Sequence, residues 1–205
     1  GTYVSYPTDE LFAVLVLESH RHGCEVVGEN LGTVPQEIRE GLPSHGIGGM
    51  YLAIFDAAAA DPSPPPAHDR ALVGTHDTPT FLGWLEGRDI DARVEAGLLD
   101  AVAAPAEKEE RAAAATHLAE AVGGSTDDPD DLLDRLLRWL GESQSPLVVP
   151  WLEDLWLEPD QVNLPGTRSS ERPNWQRPMA HLVDDILENS DVIQRLRLLN
   201  EARTP

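Results

Sequence analysis

The chain has 205 residues, with 36 acidic against 15 basic side chains and a formal charge of −21 at neutral pH. A surface this negative repels phosphate backbones and argues against nucleic-acid binding, while a neutral substrate can still approach. Hydrophobic residues at 41% suffice for a packed core, no apolar run is long enough to span a bilayer, and the single cysteine, Cys24, excludes an internal disulfide or a cysteine-based zinc site.

One cysteine suits a reducing cytoplasm. No signal peptide opens the sequence, and the strand-like "TYVSYP" directly follows Gly1, so the start reads as a cut inside a fold. "TDELFAVLVLESHRH" (8–22) has acids at its start and basic residues at its end, as a helix dipole favours, and its apolar residues surround most of the axis, which predicts a well-buried helix. "CEVVGE" (24–29) predicts a strand covered on both faces, with Cys24 as a small buried hydrophobe. Thr33 and Gln36 have capping-box spacing ahead of a second helix, with Pro35 in its first turn.

Strands follow in "GGMYLAIFD" (48–56) and "RALVGTHD" (70–77), separated by an extended, exposed Ala- and Pro-rich loop at 56–69. Thr78 and Pro79 look like the N-cap and first residue of a helix over "TFLGWLEG". Residues 89–142 read as a helical excursion, with Asp128-Pro129 as an internal start signal. "PLVVP" returns to strand, 163–175 is a loop, and two helices close the chain, the second with Ser190 as N-cap. Four buried strands separated by helices indicate parallel βα units, whose chemistry gathers at the C-terminal ends of the strands.

Glu29 and Asp77 each follow an apolar strand at that end, and each has a glycine nearby, Gly28 and Gly74, that lets other groups come close. Two acids beside a partly apolar cleft can divide roles, one donating a proton and the other staying ionised, as glycosyl transfer requires. They could instead bind a divalent cation, but no third acid stands at ligand spacing. His20 and His22, two apart on a helix, do not face one another and read as a solvated helix end. Trp84, Trp139, Trp151, Trp156 and Trp175 could each stack on a sugar ring. Trp84 and Trp139 fall at helical spacing with apolar neighbours and predict core packing, whereas Trp175 lies in a loop, where a place beside a cleft and plain exposure both remain open. Arg168 and Arg172 are open in the same way, between sugar hydroxyls and solvent.

Three ordered segments carry a more specific signal: "VVGENLGTVPQEIREGLPSHGIGGM", "GTHDTPTFLGW" and "LEDLWLEPDQVNLPGTRSSERPNWQRP". Together they resemble the 4-α-glucanotransferases (amylomaltases, or disproportionating enzymes) of glycoside hydrolase family 77, over nearly the whole chain. The resemblance implies an α/β fold, the C-terminal part of a (β/α)₈ TIM barrel, with residues 1–205 belonging to one catalytic domain and 89–142 inserted between the last two strands. It implies Glu29 as general acid/base and Asp77 as transition-state stabiliser, with His76, Asn163, Pro165, Gly166, Trp175 and Arg177 along the sugar cleft. The implied substrates are α-1,4-glucans and malto-oligosaccharides, such as the maltodextrins of starch and glycogen metabolism, with no cofactor and no metal.

Two departures stand out. Asn30 replaces the Asp that usually follows the acid/base, a lost charge expected to be tolerated while moving the pH profile. The family's nucleophile, an Asp in an Arg-x-Asp-His motif, is absent from these 205 residues. A retaining transfer needs that group, so the chain is expected to be inactive alone and to lack the N-terminal part of its barrel. An α-amylase-type hydrolase and a non-catalytic carbohydrate-binding remnant are the alternatives.

Overall fold

The computed structural model describes residues 4–59 and 61–204. Among them, β1 (Met50–Leu52), β2 (Arg70–Leu72) and β3 (Val148–Val149) form a parallel sheet in the order β1-β2-β3, with Tyr51 opposite Ala71 and Ala71 opposite Val148. Val27 adds a single parallel bridge to Gly48, on the stretch entering β1. All four segments expected as strands therefore contribute in chain order, but each is shorter than its apolar run. Gly48 leaves no room for a side chain, since a Cβ there would collide with the Arg70 guanidinium and the His68 carbonyl. After Leu52 the chain turns at once into α3 (Ala53–Asp56).

The helices are α1 (Thr8–His22), α2 (Gln36–Ser44), α4 (Phe81–Glu86), α5 (Arg88–Glu95), α6 (Ala104–Val122), α7 (Pro129–Glu142), α8 (Val183–Glu188) and α9 (Ser190–Ala202), with a 3-10 turn at Leu152–Trp156. The segment between β2 and β3 is thus helical, as its sequence predicts. Asp128 caps α7 by accepting the Asp131 N–H, and Pro129 occupies the first position, where its missing N–H costs nothing. The excursion is stitched back to the sheet by Ser145, whose hydroxyl donates to the Asp69 carbonyl at 2.7 Å and accepts from Ala71 N at 3.2 Å.

The core lies on this side of the molecule. Leu132, Leu133, Leu136, Leu137 and Leu140 of α7 are fully buried against α6, α9 and the sheet. Each such side chain contributes about 1.5–3 kcal/mol relative to exposure. Ala114, Ala115 and Ala119 give α6 a small-residue face that lets its neighbours approach closely. Trp84 is buried and Trp139 packs at the core's edge, as expected. Buried Arg195 of α9 ties three elements together, donating to Asp134 at 2.9 Å, to Asp130 at 2.6 Å and to the Leu155 carbonyl at 2.9 Å.

Several expectations are corrected. α1 is mostly exposed: Phe12 is buried with Leu42 and Ile47, while Leu11, Val14, Leu15 and Leu17 are 44–56% exposed. An all-round apolar helix needs a neighbour on every face, and the described residues supply one on a single face. Cys24 is exposed for the same reason, its segment being bridged at one point and not enclosed. Pro35 stands at the N-cap of α2 with no side-chain cap, and Gln36 bonds Glu40 within the helix. Thr80 caps α4, displacing the predicted Thr78-Pro79 start, because Thr78 is engaged by Thr75. Asn189 caps α9 in place of Ser190, its side chain accepting from both Asp191 N and Val192 N. Residues 4–7 form no strand, and the first part of "TYVSYP" lies outside the described residues.

Candidate functional site

The loop after β2 is built to hold Asp77 at its tip. Val73 is fully buried and its carbonyl accepts the Ile54 N–H, anchoring one end. Thr78 Oγ1 accepts from Thr75 N at 2.8 Å and donates to Thr75 O at 2.9 Å, closing a tight turn. Gly74 is required inside it, since a Cβ there would lie 2.6 Å from Thr78 Oγ1. At the far end Thr80 accepts the Gly83 N–H and Phe81 is fully buried. Asp77 itself is exposed, its N–H reaching Thr75 Oγ1 at 3.3 Å.

A second loop reaches Asp77 from 86 residues away: Asn163 Nδ2 donates to Asp77 Oδ1 at 2.7 Å. One carboxylate oxygen is thereby oriented and Oδ2 is left for another donor. Asn163 is steadied by Gln161, whose Nε2 donates to the Asn163 carbonyl at 2.6 Å. Behind it, Asn174 accepts from Leu164 N at 3.1 Å and donates to Thr167 Oγ1 at 2.7 Å, fastening the loop to itself.

His76 lies beside Asp77, with Nε2 3.5 Å from Oδ1. Its ring is 5.2 Å from that of Trp175 and 6.1 Å from that of Trp151. Trp175 is 59% exposed and adopts φ of +61°, the left-handed region, held there by its N–H on the Val162 carbonyl at 3.1 Å. A bulky aromatic in that region costs about 1–3 kcal/mol, a strain that typically marks functional loops. His76, Asp77, Asn163 and Trp175 thus form one constellation. Trp151, one of the tryptophans whose type suits stacking on a sugar, joins it through its ring contact with His76.

Glu29 stands apart from that group. Gly28 is pinned by its N–H on the Gly48 carbonyl at 2.8 Å and lies against Leu42, where a Cβ would come within 2.6 Å. Asn30 Oδ1 accepts the Met50 N–H at 2.8 Å. Asn30 therefore serves the backbone of β1, a use of this position that its contrast with the usual Asp did not suggest. Between these anchors Glu29 projects outward, exposed and with no hydrogen bond or ion pair among the described residues. Parallel pairing puts it at the same end of the sheet as Asp77, although no contact joins the two.

The remaining predicted residues lie around the second loop. Arg177 is committed to acids, donating to Glu158 at 2.9 Å and Asp160 at 3.2 Å. Pro165 is exposed, and Gly166 adopts φ +89°, where a Cβ would come into contact with Leu98 at 3.4 Å. Arg172 donates to the Gln161 carbonyl, and Arg168 is exposed. Among the described residues no group of three or more His, Cys, Asp or Glu side chains is arranged to hold a metal ion. A cavity of about 420 Å³ is lined by Pro79, Gly83, Asp160, Gln161 and Arg172 among others, but by neither Asp77 nor Glu29. Both acids are exposed.

Comparison with known proteins places the chain. The family model of glycoside hydrolase family 77, 4-alpha-glucanotransferase, matches residues 1–184. The 4-alpha-glucanotransferase of Haemophilus influenzae is 30% identical over 219 residues, covering 99% of this chain and 31% of that protein. The enzyme of the same name from Mycobacterium tuberculosis is 34% identical over 193 residues, covering 87% of this chain and 26% of its own. The crystal structure of amylomaltase from Corynebacterium glutamicum superposes with a TM-score of 0.80 at 27% identity, over 100% of this chain and 32% of that one. Amylomaltase from Streptococcus agalactiae in complex with acarbose shares the fold at a TM-score of 0.67 and 22% identity, over 100% of this chain and 36% of that one. The chain spans about a third or less of the length of the curated relatives it matches. Among the described residues no helix is long and apolar enough to cross a membrane.

Proposed function

The chain belongs to the 4-alpha-glucanotransferase family, glycoside hydrolase family 77, and from that premise we propose that it forms the C-terminal part of a (β/α)₈ barrel that moves a segment of an α-1,4-glucan onto the 4-hydroxyl of an acceptor sugar. The single observation that carries the reading is the Asp77 constellation. A carboxylate with one oxygen oriented by Asn163 and the other open, flanked by His76 and an exposed Trp175, suits a neutral polyol better than an ion or a nucleic acid.

In this reading Asp77 Oδ2 accepts a hydrogen bond from a hydroxyl of the glucosyl unit undergoing transfer, and the bond strengthens as the ring gains oxocarbenium character. His76 contributes a further hydroxyl contact, and the indole face of Trp175 stacks on a sugar ring. Asn163, Pro165, Gly166 and Arg177 shape the border of the cleft. Glu29 protonates the departing glycosidic oxygen and then, as base, takes the proton of the acceptor hydroxyl. Its lack of a hydrogen bond or ion pair among the described residues leaves it able to do both.

The reaction is a retaining double displacement, and its nucleophile comes from another part of a longer protein. The Arg-x-Asp-His motif is absent from this chain. The exposed apolar face of α1 and the exposed Val27 are the surfaces on which that remaining part of the barrel packs. The chain alone accordingly does not turn over.

The test is made on the longer protein that contains this chain. Glu29→Gln and Asp77→Asn should each lower kcat/KM on maltotriose by about 10³-fold or more, with melting temperatures near that of the wild type. Near-normal turnover in either variant would remove that residue from the mechanism.

A further inference from the structure

Asp154 lies in the 3-10 turn that follows β3 and is 2% exposed. Its Oδ1 accepts the Phe81 N–H at 2.6 Å, across 73 residues of sequence, and its Oδ2 is buried with no hydrogen-bond partner among the described residues. A carboxylate buried with one neutral donor is an expensive group to keep, since an apolar side chain of similar size would fill the space without the desolvation cost. Burial drives its pKa up to about 7; the Phe81 hydrogen bond opposes the shift and Glu153 adds to it.

What Oδ1 holds is the end of the active loop. Phe81 is the first residue of α4, immediately after the segment that carries His76 and Asp77. The other end of that segment is fixed by the Val73 carbonyl and its middle by the Thr75–Thr78 bonds. The turn bearing Asp154 is itself immobilised, because Arg195 grips the Leu155 carbonyl as well as Asp130 and Asp134. Trp151, which directly precedes this turn, has its ring 6.1 Å from that of His76. One block of packed structure, made of α7, α9 and the 3-10 turn, therefore reaches the loop through the Asp154 carboxyl and the Trp151 ring.

We propose that Asp154 is a positioning residue of the glucan-transfer site: by holding the Phe81 N–H it sets where the loop presents His76 and Asp77 to the bound sugar. The inference rests on Asp77 being a sugar ligand. It makes Asp154 part of the site without contact to substrate, since misplacing a transition-state ligand by about 1 Å can cost on the order of 100-fold in rate.

The experiment compares wild type, Asp154→Leu and Asp154→Asn on maltotriose, in the longer protein, with thermal unfolding of each. Asp154→Leu fills the buried site but offers Phe81 no acceptor. It should fold and lose at least about tenfold in kcat with KM changed by less than about threefold. Asp154→Asn keeps an acceptor oxygen and should recover kcat to within about threefold of wild type. If Asp154→Leu does not fold, Asp154→Ala takes its place with the same expectation. An active wild type with kcat unchanged in the variant lacking an acceptor, or with Asp154→Asn as impaired as that variant, would overturn this proposal alone. A wild type without transfer activity would overturn the reading of the site and this proposal with it.

Discussion

α7, with five leucines, and α1, with three leucines and two valines, are both rich in aliphatic residues, yet they end in opposite environments. In α7 five leucines are fully buried, gripped by α6, α9 and the sheet. In α1 only Phe12 is buried, while Leu11, Val14, Leu15 and Leu17 face outward. The difference is not one of apolar content, and it teaches that burial belongs to a helix together with its neighbours. The two acids follow the same division. Asp77 stands on a loop fastened by Thr78, Asn163 and Asp154 within the packed part of the chain. Glu29 stands in the sparsely packed part, held only through its neighbours Gly28 and Asn30.

Substitutions sharpen this contrast. Leu136→Ala removes a fully buried side chain from α7 and should cost about 3 kcal/mol in denaturant unfolding of the chain, a value typical of a cavity that closes incompletely. A loss below about 1 kcal/mol would mean the α7 core is far looser than its burial indicates.

Asp154→Asn tests the packed part through pH. The folded-state pKa of Asp154 is raised from 3.8 to about 7, so the folded form binds a proton more tightly than the unfolded one. The stability linked to that proton is complete below the unfolded value and is lost as pH rises through about 7. Asn has no proton to lose. Its stability relative to wild type should therefore grow between pH 4 and pH 8, by roughly 2–4 kcal/mol from a shift of this order. A difference that stays flat across that range would show Asp154 to be ionised throughout.

The smallest effect belongs to α1. Leu15→Ser exchanges an exposed side chain and should change the stability of the isolated chain by less than about 0.5 kcal/mol. A loss above about 1 kcal/mol would break the comparison, since it would mean that α1 is packed in solution. The same substitution in the longer protein should be more costly if, as proposed, the rest of the barrel packs on that face.

Local signals explain what the sequence made legible. "DDPDDLLDRLLRWL" contains its own cap, its own first-turn proline and a leucine stripe, and the helix begins where these say. The parallel order of the strands was legible because each apolar run is separated from the next by helical or loop sequence. Glycines beside Glu29 and Asp77 pointed to both acids, and the structure makes each glycine sterically necessary. What was not legible depends on contacts between distant parts of the chain. Nothing near Asp77 announces Asn163, which arrives from 86 residues away. Asp154 looked like one more acid in a chain with 36, although its place between Leu152 and Leu155-Trp156, in an apolar frame, is the trace its burial leaves. The caps of α4 and α9 fall one or two residues from the expected positions because Thr78 is engaged with Thr75, and because Asn189 reaches the Asp191 and Val192 N–H groups in place of Ser190. Cys24 and α1 were misjudged together, since apolar patterning predicts a need for cover and says nothing of where the cover comes from.

The proposed transfer of glucan segments at the Asp77 site is tested most directly by product analysis of a maltotriose digest, comparing the longer protein containing this chain with its Glu29→Gln and Asp77→Asn variants. The wild type should give glucose together with malto-oligosaccharides longer than the substrate, the signature of a segment passed from one sugar to another, and the variants should give little of either. Glucose and maltose alone, with nothing longer at any time point, would contradict it and assign the site to hydrolysis.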